Sequence, residues 1–283
     1  MYAQIPGQMR RIFWCPTGPF AFLPIHAAGL YDTNEPGEKA SDFVISSYTP
    51  TLGALMLPSH DHVATTNLRI LAVPQPDSDG QMQLPGARRE IAHLQDAVDA
   101  MSSPHTTITL LQSTGTVEDV LAQMKHAHWV HFACHGIQDR LAPLDSGLVL
   151  ATGRRLKLSD IIQLSARPRG GLAFLSACQT ATGDRALSEE AVHLAAGMLL
   201  AGYRSVIATM WSIGDSDAPE VAQSVYEQLF AREGDGEGEG EREGGRGMPD
   251  ARGAARALHV AIARLRARGA PFMSWVPFIH VGL

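Results

Sequence analysis

From residue 68 onward the chain alternates short apolar runs with amphipathic stretches. Leu68 to Val73 is a compact apolar run closed by Pro74, and Thr106 to Leu111, Trp129 to Cys134, Leu172 to Ser176 and Ser205 to Met210 repeat the pattern. Runs of this length, rich in β-branched and aromatic residues and bounded by Gly, Pro or polar clusters, predict buried strands. Between them Ile91, Leu94, Val98 and Met101 fall at helical spacing. Thr116, followed by Glu118 and Asp119, reads as the cap of a helix reaching Met124. Ser188 with Glu189 and Glu190 opens a helix through Leu200 that Gly202 ends, and Ala218 to Phe230 and Ala251 to Arg268 are the last two. Strand and helix in alternation predict an α/β fold: a mostly parallel sheet flanked by helices on both faces. Such sheets carry their working residues beyond the carboxyl ends of the strands.

The flanking regions are less rhythmic. Ile12 to Cys15 and Phe20 to Leu30 read as short strands around a Pro/Gly turn, with Pro24 to Ala28 as a turn into a short helix. Phe43 to Ser47 reads as a strand and Thr51 to Leu57 as a short helix. Ser146 to Leu150 and Arg154 to Leu158 form a hairpin pattern around Ala151-Thr152-Gly153, followed by a short helix to Leu164. Glu233 to Gly247 is almost entirely Gly, Glu, Asp and Arg and is expected to be a disordered surface loop (233–247), because it has no apolar area to bury. Trp275 to Val281 closes the chain as a strand. Pro277 places it at a sheet edge or at the strand's first residues.

Composition narrows the function classes. With 45% hydrophobic and 18% charged residues, the 283-residue chain is globular and long enough for a substantial core. A net charge of -6 offers no basic footprint for nucleic acid. No apolar run has the length of a membrane span, and the first residues lack a secretory pattern. Three cysteines, Cys15, Cys134 and Cys178, are too few for a disulfide framework. A reducing, cytoplasmic setting is therefore expected, in which Cys178 stays a thiol.

Two of the apolar runs end in reactive side chains: Val130-His131-Phe132-Ala133-Cys134-His135-Gly136 and Ala173-Phe174-Leu175-Ser176-Ala177-Cys178-Gln179-Thr180. Along an extended strand His131, Ala133 and His135 share one face, while Val130, Phe132 and Cys134 share the other. If the runs are neighbouring parallel strands, His135 and Cys178 emerge at one sheet edge, where the imidazole activates the thiol. Gly136 is expected to let the chain turn. The backbone N–H groups of Cys178 and Gly136 are then the candidate oxyanion donors. The competing role for each residue is structural: a buried cysteine packs as a small apolar group, and a histidine at a strand end satisfies a hydrogen bond.

Other chemistries fit less well. His126, His128, His131, Cys134 and His135 crowd together, but a strand spreads them apart, whereas zinc needs convergent ligands. There is no Gly-x-Ser-x-Gly elbow and no phosphate-cradling glycine loop between a strand and a helix. The reading calls for no metal and no cofactor.

The pair His-Phe-Ala-Cys-His-Gly and Leu-Ser-Ala-Cys-Gln-Thr resembles the two signature motifs of the CHAT domain family, caspase-like cysteine peptidases related to separase, legumain and the gingipains. Pro143 to Leu150, Leu158 to Ile162, Ala196 to Trp211 and Phe278 to Leu283 resemble further segments of that family. The resemblance implies one caspase-like domain over residues 1–283, with residues 1–60 as its variable N-terminal portion. It implies His135 as base, Cys178 as nucleophile and a cysteine endopeptidase acting on protein or peptide substrates. Where many relatives carry Glu after the cysteine, this chain has Gln179, which removes a charge beside the thiol. By analogy with caspases, the loop after Ser205 to Met210 borders the specificity pocket. Trp211, Ser212, Ile213 and Asp215 are thus lining candidates, with Asp215 suited to a basic side chain. Asp215 has a second reading as a carboxylate ordering the loop ahead of Ala218, and Asp145 carries the same two readings. The short stretch from Gln179 to Leu187 leaves little room for a processing linker. Latency until a partner or an upstream helical-repeat domain acts is the expected regulation, and a silent caspase-like scaffold is the alternative.

Overall fold

In the computed structural model, residues 9–33, 35–56, 67–101, 107–112, 115–137, 139, 141–164, 171–179, 189–231 and 249–283 are described. The strands are β1 (Arg10–Trp14), β2 (Val44–Tyr48), β3 (Asn67–Pro74), β4 (Thr107–Gln112), β5 (Trp129–Ile137), β6 (Gly147–Val149), β7 (Arg155–Lys157), β8 (Leu172–Gln179), β9 (Ser205–Thr209) and β10 (Phe278–Gly282). The helices are α1 (Leu52–Leu55), α2 (Pro85–Ala100), α3 (Val117–Met124), α4 (Leu158–Gln163), α5 (Glu189–Leu200), α6 (Asp217–Phe230), α7 (Ala254–Ala267) and α8 (Phe272–Trp275). Among the described residues the strands join one sheet in the order β1-β2-β10-β9-β8-β5-β3-β4, with the β6–β7 hairpin attached to the end of β5. Strands β4, β3, β5, β8 and β9 run parallel. Antiparallel pairing of β10 with β9 then reverses the direction for β10, β2 and β1.

Both sheet faces are covered. Ile70, Ala72, Phe174 and Ile207 face Ile91 and Leu94 of α2, Val221 and Val225 of α6, and Leu258 of α7. Their strand neighbours Leu71, Phe132, Leu175 and Val206 face Val120 of α3, Ile161 of α4 and Met198 of α5. The period-two alternation of each strand thus feeds two separate cores. Helix α3 starts at the expected capping box: Thr116 Oγ accepts from Asp119 N at 3.3 Å, and Thr116 N donates to the Asp119 carboxylate at 3.4 Å. The chain steps from β3 through α2 to β4 in one direction, then returns to place β5, β8 and β9 on the other side of β3. This reversal makes β3 and β5 the topological switch point of the sheet.

Three local expectations are corrected. Residues 20–30 hold no strand: Gly18–Phe22 and Ile25–Ala27 are 3₁₀ turns, because Pro19 and Pro24 lack the N–H that a ladder needs and fix φ. Strand β10 is internal, flanked by β9 and β2, so the edge alternative for Pro277 is the one corrected, while its place at the strand's entry fits. Pro277 stands just ahead of it, and its carbonyl accepts from Met210 N at 2.7 Å. Strands β5 and β8 each run past the apolar stretch that announced them, so Gly136 lies within β5 and not at a turn. The acidic stretch 233–247, Ser188 and residues 180–187 lie outside the described residues. No helix among the described residues is long and apolar enough to cross a membrane.

Two histidines tie the N-terminal strands to the rest. The Nδ1 of His26 is 2.8 Å from the Tyr48 hydroxyl and its Nε2 is 2.9 Å from the carbonyl of Val276. Burial pushes its pKa down to about 4. His280, buried between Ser205 (2.7 Å) and Ser47 (3.0 Å) with Arg11 donating to its Nδ1, is pushed well below its ordinary value by the same cause. Both are neutral in the folded state and protonate near pH 6.5 in the unfolded chain. Their contribution is therefore complete above pH 6.5 and lost as pH falls towards 4. For His26 alone this amounts to about 3 kcal/mol. The urea midpoint should fall steeply between pH 7 and 4, and less steeply in His26→Asn.

Gly171 sits one residue ahead of β8, where an added Cβ would lie 1.9 Å from the carbonyl oxygen of His128, just ahead of β5. Gly171→Ala should destabilise by about 1–3 kcal/mol, read from the urea midpoint, because the two strands cannot part without breaking their ladder.

Candidate active site

The parallel ladder between β5 and β8 runs from Val130↔Ala173 to Gly136↔Gln179, and within it His135 stands opposite Cys178. Neighbouring strands lie about 4.8 Å apart, so the two backbones are adjacent at the carboxyl end of the sheet. The side chains of Cys178 and Gln179 lie outside the described part of the structure.

His135 is buried, with 1% of its surface exposed. Its Nε2 is 2.6 Å from the backbone carbonyl of Met82, so this nitrogen carries the proton and donates it. Nδ1 is left as the acceptor, and it has no hydrogen-bond partner among the described residues. Met82 lies in the loop between β3 and α2. That loop is braced from within, by Leu84 N on the Pro76 carbonyl (2.8 Å) and Gln81 N on the Ser78 carbonyl (3.0 Å). It is braced against β5 by Gln75 N on the Ala133 carbonyl (2.8 Å). The Met82 residue is largely exposed while its carbonyl turns inward to the imidazole.

Directly beneath His135 on the same face of β5 lies a buried polar network. His131 Nδ1 is 2.8 Å from the Tyr226 hydroxyl, and His131 Nε2 is 3.0 Å from Glu90 Oε2. Ser176, two residues before Cys178, donates to Glu90 Oε1 at 3.0 Å. One assignment satisfies every atom: Tyr226 O–H donates to Nδ1, Nε2–H to one carboxylate oxygen, and Ser176 O–H to the other. Burial pushes the Glu90 carboxyl up, against the lowering pull of the His131 hydrogen bond. Burial also raises the Tyr226 hydroxyl well above its ordinary value, and the neighbouring Glu90 adds to that. The His131 ring stacks on Phe174, its partner across the ladder, with centroids 4.6 Å apart and planes within 6°.

The other expected site residues fall in three places. Gly136 has Leu148 of β6 on one side and Gln179 of β8 on the other, so ladder partners flank an N–H that was expected to face a turn. Trp211 and Ser212 follow β9. The β8–β9 ladder ends at Phe174↔Ile207 while β8 continues to Gln179, so the last residues of β8 run past that ladder. The Trp211 indole N–H is buried with no partner among the described residues, Ser212 is exposed, and Ile213 is buried in the core. Asp215 accepts a 2.7 Å hydrogen bond from Gly86 N at the start of α2 and lies 4.0 Å from Arg89. It therefore ties the loop ahead of Ala218 to the start of α2. Asp145 is paired with Lys157 at 2.9 Å, on the exposed surface beside the hairpin.

A family model described as the CHAT domain matches residues 2–283. The chain belongs to the CHAT domain family. The architecture is accordingly caspase-like α/β, with the two motif strands adjacent at the middle of the sheet. No curated protein matches the sequence. Among solved structures, separase of Saccharomyces cerevisiae in complex with securin is 15% identical, covering 88% of this chain and 15% of that chain, at a TM-score of 0.48. The Arg-specific cysteine proteinase gingipain R is 9% identical, covering 77% of this chain and 46% of that one, at 0.39. The complex of pro- and mature domains of RgpB from Porphyromonas gingivalis is 10% identical, covering 76% of this chain and 47% of that one, at 0.41. The CHAT chain thus spans about 15% of the separase chain and less than half of the gingipain chains.

The histidine-rich stretch does not converge. His126 is exposed, His128 Nδ1 accepts from Arg69 N at 2.9 Å, His131 joins Glu90, and Cys134 is buried against the opposite core. Among the described residues no three His, Cys, Asp or Glu side chains are grouped to hold a metal ion. Two participants carried no obvious signal in the sequence. Met82 contributes only its carbonyl, which any residue supplies. Glu90 was detectable in principle, since it precedes Ile91 and stands four residues before Leu94, inside the apolar stripe of α2. Because Cys134 packs away from His135, Cys134→Ala should leave the alkylation rate of Cys178 unchanged. The check is mass-spectrometric quantification of the modified peptide.

Proposed function

We propose that this CHAT domain is a cysteine endopeptidase in which His135 and Cys178 form the catalytic dyad. The observation that carries the reading is the pairing of His135 with Cys178 across parallel strands, together with an imidazole whose Nε2–H is engaged and whose Nδ1 is the open acceptor. A base of this kind takes a proton from a thiol without a change of tautomer. In the first step Nδ1 accepts the Cys178 proton and the sulfur attacks the scissile carbonyl, whose oxygen becomes the oxyanion. The imidazolium then returns that proton to the amine as the C–N bond breaks, leaving a thioester. Water, deprotonated by Nδ1, attacks the thioester, and the proton passes to the departing sulfur, restoring the thiol.

Oxyanion stabilisation falls to backbone N–H groups. We assign the main donor role to Cys178 N–H, because the N–H of Gly136 is flanked by strands on both sides. The substrate's leading side chain is assigned to a pocket formed by the residues after β9, with Trp211, Ser212 and Ile213 as lining candidates and Gln179, next to the nucleophile in sequence, as a further one. Asp215 stands at the rim, and a basic side chain is the chemistry that its carboxylate suits. Asp145, ion-paired with Lys157, is the weaker candidate for contact with substrate. Buried acceptor geometry at His135 is compatible with latency, since a substrate reaches a 1%-exposed imidazole only after neighbouring groups shift.

The test is labelling with peptidyl electrophiles bearing basic, acidic or apolar leading residues, the modified residue being located by mass spectrometry. Cys178 should be labelled selectively, with a basic leading residue preferred, and His135→Ala should abolish the reaction. Cys178→Ala should remove peptidase activity while preserving the fold. Labelling that ignores His135 would overturn the dyad, and a folded protein inert to every probe would favour a scaffold role.

A further inference from the structure

We propose that Glu90 is the positioning residue of the dyad: its buried carboxylate clamps the histidine strand to the cysteine strand and holds α2 in the place that presents the Met82 carbonyl to His135. The inference rests on the dyad reading and names a part of the machinery outside it. Glu90 is 3% exposed, and each of its oxygens bonds a different strand, Oε2 to His131 of β5 and Oε1 to Ser176 of β8. Those partners stand four residues before His135 and two before Cys178, so the clamp closes just below the reacting pair. Two bonds from one planar carboxylate fix the relative height of two parallel strands, which a ladder of backbone bonds alone leaves open to slippage.

The clamp also fixes a helix. Glu90 belongs to the first turns of α2, where Gly86 N donates to Asp215 and the preceding loop carries Met82. A rigid helix held at Gly86 and at Glu90 leaves the Met82 carbonyl little travel, and that carbonyl sets the tautomer and tilt of the His135 ring. His131 contributes by being held on its far side by Tyr226 and by the Phe174 ring, so the carboxylate pulls against a fixed partner. A carboxylate buried so completely has to be matched by strong hydrogen bonds, and all of those seen here run to the two strands of the dyad.

The experiment measures alkylation of Cys178 by a peptidyl chloromethyl ketone, separating the reversible binding constant from the maximal inactivation rate. Wild type, Glu90→Gln, Glu90→Asp and Ser176→Ala are compared, each checked for a cooperative melt. Glu90→Gln cannot accept from both strands at once, and its maximal rate should fall on the order of 10- to 100-fold with the binding constant unchanged. Ser176→Ala, which removes only the β8 arm and creates no steric demand, should lose a smaller part of the rate in the same way. Glu90→Asp, which keeps the charge, should recover part of the loss. Folded Glu90→Gln and Ser176→Ala variants with the wild-type rate would overturn the proposal. If Glu90→Gln fails to fold, Ser176→Ala decides alone. Absence of labelling in the wild type would instead overturn the dyad itself, so the two failures are distinct.

Discussion

The site depends on the register of one parallel ladder. Between Val130↔Ala173 and Gly136↔Gln179 every position of β5 has a fixed partner on β8, and His135 meets Cys178 only in that alignment. A slip of one residue inverts which face each side chain occupies, so the core on both sides of the sheet resists it. Phe174 would leave the core shared with α2 and α6, and Phe132 the core shared with α3 and α5. The close approach at Gly171, the His131–Phe174 stack and the Glu90 contacts act at successive heights along the same two strands. The juxtaposition of His135 with Cys178 at the strand ends is therefore a consequence of packing further down.

The imidazole is oriented by a neutral group. A carboxylate against Nε2–H would stabilise the imidazolium and raise its basicity, whereas a carbonyl fixes the tautomer with a partial charge only. The acidic side chain in this region, Glu90, is one level deeper and engages His131 instead. This division separates orientation from charge: Met82 sets which nitrogen of His135 is open, and Glu90 sets where the strands lie. The acidic group closest to the start of α2, Asp215, is likewise engaged by a backbone N–H. A ligand that competes for Asp215 must offer more than that single hydrogen bond, which a guanidinium or ammonium does.

Much of this was legible in the sequence wherever burial and periodicity leave a trace. The strands carrying His135 and Cys178, the helices between them and the capping box at Thr116 all have patterns that only one local structure satisfies. The N-terminal segment misled because Phe20, Leu23 and Leu30 look like strand residues, yet they are exposed on proline-directed turns. Gly136 misled because a glycine after a histidine suggests a turn, when β5 continues through it to Ile137. Met82 was invisible for a deeper reason, since a backbone carbonyl has no residue identity. Glu90 was overlooked among surface-like charges, although its spacing to Leu94 places it within the apolar stripe of α2.

Helix α2 joins these observations mechanically. An added Cβ at Gly86 would lie 2.2 Å from the carbonyl oxygen of Asp215, so the helix start is in contact with the loop after β9 with no space to spare. Four residues on, Glu90 grips β5 and β8. Just ahead of the helix, Met82 meets His135. A sixteen-residue helix with an intact hydrogen-bond ladder is stiff on this scale, so its displacement changes all three contacts together. The loop after β9, the orientation of the His135 ring and the contacts of Glu90 to the two strands are for that reason joined through one element.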